Sequence, residues 1–448
     1  MIRPLRGALE EAGPLRATRI IVILTHALGI FAYATLWRTF FAPDFDVNDF
    51  KAYYTGALAL REGRPDLLYP DPATLNLGVL PDQPWVRFAI ERGVPHPSGY
   101  IYPPFLAVVL RPLAALTYHR ANQAWFALNL VFFAVSVALL IRLRPWRLDL
   151  PAAGGVLFAS LCFYPTLRAF QCGQVSLLML VLLAGSAWAL ARERDSLAGA
   201  LVGVAAAVKL TPVVIVLFFL ATRRWRAAAW AAAAGAACLA LSIGGAGWES
   251  HLTFARGILP ALSRGAVTFA NQSLPGFVSR LASESSINVF EFVEEPASIR
   301  LLGTLSSAAV LAASLYLARR HSLRGDVLGG YALVIVASLI ASPISWEHHF
   351  VLALIPIAVL LHDGAERGRL SLGTAFLLAC SYALIAANAY DLIRQHFPSA
   401  LARVAIAYAL GGAVGLGALI AARAGSTGVL APAEERQDRR PAGAGIAS

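Results

Sequence analysis

The sequence predicts an all-α, polytopic integral membrane protein. Apolar residues make up 58% of its 448 positions, the mean hydropathy is +0.64 and only 14% of the residues are charged. Soluble domains carry about a quarter charged residues, so this composition excludes the soluble classes. The net charge of +11 does not indicate a nucleic-acid partner. Its basic residues fall mainly in short turns between apolar runs, a pattern that is typical of membrane topology and contact with lipid headgroups.

The first predicted span is residues 18–41, which can cross a hydrocarbon core that needs about 20 apolar residues. Four arginines precede or begin it: Arg3, Arg6, Arg16 and Arg19. This arrangement is typical of an uncleaved signal anchor, because a removable signal peptide has a shorter apolar core. Residues 1–17 are therefore predicted to lie in the cytoplasm.

The later apolar runs predict the rest of the membrane domain, which we place at residues 18–422. These runs lie near 121–141, 152–167, 174–191, 196–221, 227–245, 301–318, 327–341, 349–362, 372–388 and 400–422. If the arginine-bearing turns face the cytoplasm, only 121–141 can cross between residue 41 and Arg142, so 101–118 is predicted to be interfacial or re-entrant. Arginines flank both ends of 196–221, which predicts a hairpin broken near Lys209 and Pro212. The total is about twelve crossings.

This topology places two long loops, 42–120 and 246–300, on the extracytoplasmic face together with every unusual polar motif. The tail 423–448 is rich in alanine, glycine, proline and charge, and is predicted to be disordered in the cytoplasm. Abundant arginine and alanine are typical of a GC-rich bacterial genome. We therefore expect a multi-pass protein of the bacterial cytoplasmic (inner) membrane with its polar site on the outer side.

Three carboxylates follow the first span directly: Asp44, Asp46 and Asp49. Acids at the depth where bilayer meets water are suited to a general base that acts on a lipid-linked substrate. The alternatives are a D-x-D metal site or simple capping of the helix that begins near Asp49. Asp49 is the leading candidate base, because Phe50, Tyr53 and Tyr54 would desolvate it and stack on a sugar. Asp46, Tyr53 and Tyr54 are predicted to contact substrate.

Cationic and amide side chains form the second group of candidate substrate contacts. Lys209 interrupts an apolar run, where a lysine is costly and is a functional hypothesis by default, although a hairpin tip would place it in water. Arg168 and Gln174 flank a short outer turn, where the arginine would either bind a phosphate or cap a helix. Asn271 and Gln272 lie in the second outer loop and are candidate hydrogen-bonding partners of a sugar, although such residues are also common in ordinary loops.

Trp346, His348 and His349 complete the predicted site at the outer end of a helix. Adjacent histidines point to different faces of a helix, so both are not expected to ligate one ion. One of them is predicted to contact phosphate or substrate, and the alternative is a pair of interfacial histidines beside a tryptophan. The four cysteines have no metal-ligand spacing. No metal and no cofactor is predicted, and the motifs of nucleotide-binding and soluble hydrolytic enzymes are missing from the sequence.

Four groups of motifs resemble the polyprenyl-phosphate-dependent mannosyltransferases of glycosyltransferase family 87, in the GT-C superfamily. The resemblance spans roughly residues 18–422. The matching stretches are Asp49-Phe50 with Tyr53-Tyr54, Gly63 and Leu68-Tyr69; Tyr102-Pro103-Pro104-Phe105; Gly173-Gln174 leading to Lys209-Leu210-Thr211-Pro212; and Asn271-Gln272-Ser273-Leu274 with Ser342-Pro343-Ile344-Ser345-Trp346 and His348-His349.

This resemblance implies a GT-C-type helical bundle and an inverting transfer of a hexosyl residue, typically mannose. The donor would be a polyprenyl-phosphate sugar, and the acceptor a lipid or glycan on the extracytoplasmic face. The first-loop aspartate of the family would be Asp49, and the extra acids Asp44 and Asp46 depart from the family pattern. The alternative function is a secondary transporter or lipid-linked sugar flippase. Transporters usually contain internal repeats, and this chain shows none.

Overall fold

The computed structural model describes residues 48–72, 82–143, 156–157, 159–282, 296–366, 370–397 and 399–425. These residues form helices joined by short turns, and no strand occurs within these ranges. The predicted span 18–41, the acids Asp44 and Asp46 and most of the predicted tail lie outside them. The all-α prediction is therefore confirmed for the part of the chain that the structure describes.

The described part of the first predicted outer loop forms short helices, and one long helix follows them. Helix α1 is Asn48–Arg61, α2 is Pro84–Glu91, α3 is Pro104–Leu110 and α4 is Tyr118–Ile141. Helix α3 has 7 residues and rises only about 10 Å at 1.5 Å per residue. It is too short to cross a bilayer, as predicted for 101–118, whereas α4 has the length of a full span.

The middle of the chain contains the predicted break. Helix α5 is Tyr164–Cys172, α6 is Ser176–Leu190, α7 is Asp195–Val208, α8 is Val213–Ala221, and α9 is Trp225–Thr253. Helix α7 ends directly before Lys209, which is extended (φ −151°, ψ 131°), and Pro212 precedes α8. Proline has no N–H to continue the α7 ladder, so the run 196–221 is broken where the sequence predicts.

The second predicted outer loop begins as a helix. Helix α9 bends at Gly247 (φ 79°) and continues through a π turn, Phe254–Ile258, into α10, Leu259–Ser263. The remaining helices are α11 Leu274–Ala282, α12 Ala297–Leu323, α13 Val327–Ala341, α14 Leu354–Glu366, α15 Leu372–Ala386, α16 Tyr390–His396, α17 Ser399–Ala405 and α18 Tyr408–Gly425. A 3₁₀ helix, Glu347–Ala353, precedes α14.

Among the described residues, four continuous helical stretches are long and apolar enough to cross a membrane: Tyr118–Ile141, Trp225–Ser263, Ala297–Leu323 and Ser399–Ala424. The pair α15 and α16, bent by 83°, passes the same test when taken together. Helices α6, α7 and α13 are apolar but shorter. The protein is thus a multi-helical membrane protein, and the total of about twelve crossings stays a prediction.

Candidate active site

Helix α1 carries Asp49 in its first turn and Tyr53 one turn later, so both side chains lie on the same face. Tyr53 is fully buried, whereas Asp49 is half-buried. Between them in sequence, the Phe50 ring is also fully buried and stacks on Trp125 of α4 at 5.7 Å between centroids. Packing against α4 therefore fixes the rotation of α1 and the direction of Asp49.

Gln174 reaches Asp49 from a tight turn after α5. Gly173 ends α5 in the left-handed conformation (φ 64°), and the N–H groups of Gly173 and Gln174 donate to Phe170 O and Ala169 O, each at 3.0 Å. Glycine adopts this conformation without steric cost and is the usual residue at such a helix end. The Trp125 indole N–H donates to Gly173 O at 2.7 Å. One tryptophan thus locates both the aspartate helix and the glutamine turn.

Two tyrosines orient the Gln174 amide. The hydroxyls of Tyr53 and Tyr102 both donate to Gln174 Oε1, at 2.8 and 3.0 Å. With its oxygen occupied by two donors, the amide turns its NH₂ to the Asp49 carboxylate, to which it is hydrogen bonded. The Cys172 thiol is a second hydrogen-bonding partner of Asp49. Among the described residues, no group of three or more His, Cys, Asp or Glu side chains that could hold a metal ion includes Asp49.

The electrostatics of Asp49 combine burial with nearby donors and cations. Burial raises the pKa of the Asp49 carboxyl above its ordinary value, and the hydrogen bond from Gln174 together with the positive charges of Arg168 and Lys209 partly opposes this rise. Desolvation favours the neutral carboxyl, whereas donors and cations favour the carboxylate. The net direction is upward, toward the range in which a general base works near neutral pH.

Lys209 lies at the break between α7 and α8 and faces the same site. Its Nζ is 2.6 Å from His349 Nε2 and 5.7 Å from the centre of the Tyr102 ring. The other nitrogen of His349, Nδ1, accepts a hydrogen bond from the Trp346 backbone N–H at 3.2 Å. Since Trp346 fixes the histidine ring, His349 holds the lysine at one position beside Asp49.

His348 lies near Lys209, and one of its ring nitrogens forms no hydrogen bond with the described residues. Its side chain is buried, its ring meets that of His349 edge-on at 4.5 Å, and Nε2 has no hydrogen-bond partner among the described residues. Lys209 and Arg168 both lie within electrostatic reach of it. A buried ring nitrogen without a partner is costly unless a ligand satisfies it.

Arg168 lies on α5 about one turn before Cys172 and is half-buried. Its positive charge acts on Asp49 and on Glu347, which lies at the start of the 3₁₀ helix. Within the described ranges Arg168 forms no hydrogen bond and no ion pair shorter than 4 Å. All five N–H donors of its guanidinium are available to a bound molecule.

Asn271 and Gln272 lie behind the histidines and hold the loop that carries them. Both are fully buried. Asn271 Oδ1 accepts from Ser345 N at 2.9 Å, Asn271 Nδ2 donates to Pro343 O at 3.1 Å, and Gln272 N donates to Ser345 O at 2.8 Å. The Gln272 amide further donates to Ile406 O at 2.9 Å. These contacts are made with the protein backbone, so sugar contact by Asn271 or Gln272 stays a prediction.

A cleft of about 730 Å³ opens beside Lys209 and His349, and Tyr102 and Trp346 also line it. A second, apolar cavity of about 890 Å³ lies between α3, α7 and α9. Pro103, Leu210 and Phe254 line both. The polar cluster is therefore continuous with an apolar path between helices.

The structure brings together seven of the predicted site residues: Asp49, Tyr53, Arg168, Gln174, Lys209, His348 and His349. Trp346 lines the cleft beside them. Tyr54 is directed away, because its hydroxyl donates to Leu116 O at 2.7 Å, and Asp46 lies outside the described residues. Three neighbours were not predicted as site residues: Tyr102, Cys172 and Glu347. The Tyr-Pro-Pro motif and the position of Glu347 next to the histidines were the available signals.

The model of glycosyltransferase family 87 matches residues 100–343, which is more than half of the chain. The chain belongs to glycosyltransferase family 87. It is accordingly a membrane glycosyltransferase, as the resemblance implied. Tyr102, Arg168, Gln174, Lys209, Asn271 and Gln272 lie inside the matched region, whereas Asp49 and the histidines lie outside it.

Curated relatives of this family extend the similarity over most of the chain. One from Mycobacterium tuberculosis is named polyprenol-phosphate-mannose-dependent alpha-(1-2)-phosphatidylinositol pentamannoside mannosyltransferase, and it is 30% identical over 360 residues, covering 80% of this chain and 75% of the relative. One from Mycolicibacterium smegmatis is named polyprenol-phosphate-mannose-dependent alpha-(1-2)-phosphatidylinositol mannoside mannosyltransferase. It is 30% identical over 419 residues, covering 87% and 85%. The similarity to these mannosyltransferases thus extends over 80% and 87% of this chain.

Proposed function

We propose that this protein transfers a mannosyl residue, with inversion, from polyprenyl-phosphate mannose to a hydroxyl of a mannosylated phosphatidylinositol. The donor and the acceptor class are those that the names of its relatives state. The reaction would take place at the extracytoplasmic face of a bacterial cytoplasmic membrane. The topology that the arginine-bearing turns predict supports this side, because it gathers both long loops and all the polar motifs there.

The observation that carries this proposal is the oriented carboxylate of Asp49. Gln174, fixed by Tyr53 and Tyr102, donates to it, and burial raises its pKa. As general base, Asp49 takes the proton of the acceptor hydroxyl while that oxygen bonds to the anomeric carbon. The bond from this carbon to the phosphate oxygen breaks on the opposite face, and polyprenyl phosphate leaves with the bonding electrons. Among the described residues, Asp49 is the only carboxylate that is hydrogen bonded to Gln174 and Cys172.

Lys209 and His348 would receive the leaving phosphate. Lys209 is held by His349, and His348 offers a buried nitrogen without a partner within reach of the lysine charge. Preorganised donors of this kind stabilise charge that develops in a transition state. The leaving group is a phosphate monoester of low basicity, so no separate catalytic acid is required. Arg168 adds a second positive charge within electrostatic reach of Asp49.

The apolar cavity between α3, α7 and α9 offers the path for the prenyl chain of the donor. It begins at residues that also line the cleft beside Lys209. Apart from Ser242 and His251, its lining residues carry apolar side chains or none. A phosphate at Lys209 would therefore have its lipid directed into an apolar space, which fits a lipid-linked donor better than a nucleotide sugar.

The test uses purified protein in detergent with synthetic polyprenyl-phosphate mannose and a mannosylated phosphatidylinositol. We expect release of polyprenyl phosphate and a mannosylated product, both followed by mass spectrometry, and loss of both in Asp49→Asn. Asp66→Asn is the matched control, because Asp66 is an exposed acid of the same loop that pairs with Arg64. Normal turnover by Asp49→Asn would remove it as the base. Donor movement across vesicles without product would instead favour a transporter.

A further inference from the structure

Glu347 is a buried acid next to the histidines that the reaction described above does not use. It begins the 3₁₀ helix and is only 7% exposed. A carboxylate in such a place is costly unless its oxygens are satisfied. Oε1 accepts a hydrogen bond from the Tyr408 hydroxyl at 2.9 Å. No second hydrogen bond to the carboxylate and no ion pair within 4 Å occurs among the described residues.

Arg168 lies between this acid and Asp49. Helix α5, which carries Arg168, packs against the 3₁₀ helix that begins with Glu347. The guanidinium is within electrostatic reach of both carboxylates but forms an ion pair with neither. Tyr164, one turn before Arg168 on α5, is within reach of Arg168 and Glu347 too. An acid acceptor, a guanidinium donor and tyrosine rings are thus collected near Asp49.

The groups around Asp49 differ in their access to the cavities. Lys209 lines the cleft, which shares residues with the apolar cavity, and both spaces suit a lipid. Neither cavity is lined by Arg168, Glu347, Tyr164 or Tyr408. In a transfer with inversion, donor phosphate and acceptor hydroxyl approach the anomeric carbon from opposite faces. Arg168 and Glu347 are therefore the charged groups left for the acceptor.

We propose that Glu347, held by Tyr408, and Arg168 bind neighbouring hydroxyls of the acceptor sugar and present one hydroxyl to Asp49. Glu347 accepts hydrogen bonds from the sugar and Arg168 donates them, a pairing that charged groups make stronger than neutral ones. A site built to bond hydroxyls discriminates strongly against an analogue that lacks one. This inference rests on the proposed function for the identity of the acceptor.

The first experiment measures steady-state transfer while donor and acceptor are varied separately. Glu347→Gln preserves size and keeps an oxygen for Tyr408, so a merely structural role predicts little change. We expect instead a rise of tenfold or more in the KM for acceptor with the KM for donor within twofold of wild type. Glu62→Gln is the matched control, because it also replaces a carboxylate beside an arginine, Arg92, in the outer loop. An unchanged acceptor KM, or a rise in donor KM instead, would overturn the inference.

The second experiment does not depend on turnover. Saturation-transfer NMR would follow binding of methyl α-mannoside to the purified protein without donor. We expect the signal of wild type to be lost in Glu347→Gln and retained in Asp66→Asn. Binding through Glu347 by a protein that transfers no mannose would refute the proposed function and keep this inference. Equal binding by wild type and Glu347→Gln would refute the inference, whatever the transfer assay shows.

Discussion

The Tyr53 hydroxyl donates to Gln174 Oε1 at 2.8 Å, across 121 positions of the sequence. This bond, with the one from Tyr102, determines which end of the amide faces Asp49. If the amide were reversed, its oxygen would face the carboxylate of Asp49. Repulsion between the oxygens would then raise the pKa of Asp49 further. The orientation of Gln174 is thus part of what keeps the proposed base available.

The pH dependence of transfer tests this role of Gln174. Burial raises the pKa of Asp49, and the Gln174 hydrogen bond opposes that rise. Transfer requires the carboxylate, so activity should fall as pH decreases through this raised pKa. Gln174→Met removes the donor and keeps the volume. We expect the acidic limb of the kcat/KM profile to move to higher pH, since a hydrogen bond to the charged form stabilises it.

The control for this profile is Gln123→Met on α4, where the amide is exposed and bonds His119. Its acidic limb should coincide with that of wild type. A Gln174→Met protein with lower activity but an unmoved acidic limb would show that Gln174 supports the fold only. A limb that moves to lower pH would contradict the sign of the argument.

Lys209 is expected to act on the donor. Lys209→Met keeps the apolar stem and removes the charge beside His349. The loss of a charged hydrogen bond to the phosphate costs about 1.5–3 kcal/mol, so kcat/KM for donor should fall by about 10- to 150-fold. Arg64→Met, which removes an exposed charge of the first outer loop, should leave it unchanged. Donor titrations of both proteins decide this point, and a Lys209→Met protein with wild-type kcat/KM would exclude phosphate contact.

The apolar cavity predicts a dependence on prenyl length. Ala207 lines it, and Ala207→Phe places a ring in the space assigned to the donor chain. We expect transfer from a long-chain donor to fall at least tenfold while a donor with one or two isoprene units is used nearly as before. Ala233→Phe adds the same ring to an exposed position of α9 outside the cavity and serves as control. Equal losses with both donors would place the chain elsewhere.

The features that the sequence could predict are those with a strong local cause. The break at Lys209 follows from Pro212, four residues after the last residue of α7, and the arginine topology predicts that 101–118 is interfacial or re-entrant. Gln174 and Asp49 were both predicted as site residues. Their contact was not, because it depends on how α1 and α5 pack on Trp125, and no sequence period encodes that packing.

Residues of ambiguous chemistry were harder to assign. Cys172 has a small, buried side chain of the kind that usually packs as a hydrophobic residue, yet it is hydrogen bonded to Asp49. Glu347 lies beside two histidines, and the histidines rather than the glutamate were predicted as site residues. Long-range contacts give both residues their surroundings: Asp49 for the cysteine, and Tyr408 and Arg168 for the glutamate. A single sequence contains no signal for such pairs.

Asn271 provides the sharpest test of a polar residue that the sequence assigned to substrate. Its side chain bonds Ala266 O, Pro343 O and Ser345 N, and it is fully buried. Asn271→Ala would leave these backbone groups unsatisfied, at about 1–3 kcal/mol for each that water cannot reach. We therefore expect a lower Tm in detergent, together with a lower kcat, because the loop that carries His348 and His349 loses its support. Thr304→Ala, an exposed change on α12, should move neither quantity. A variant with the Tm of wild type and a raised substrate KM would instead show that Asn271 contacts the sugar directly.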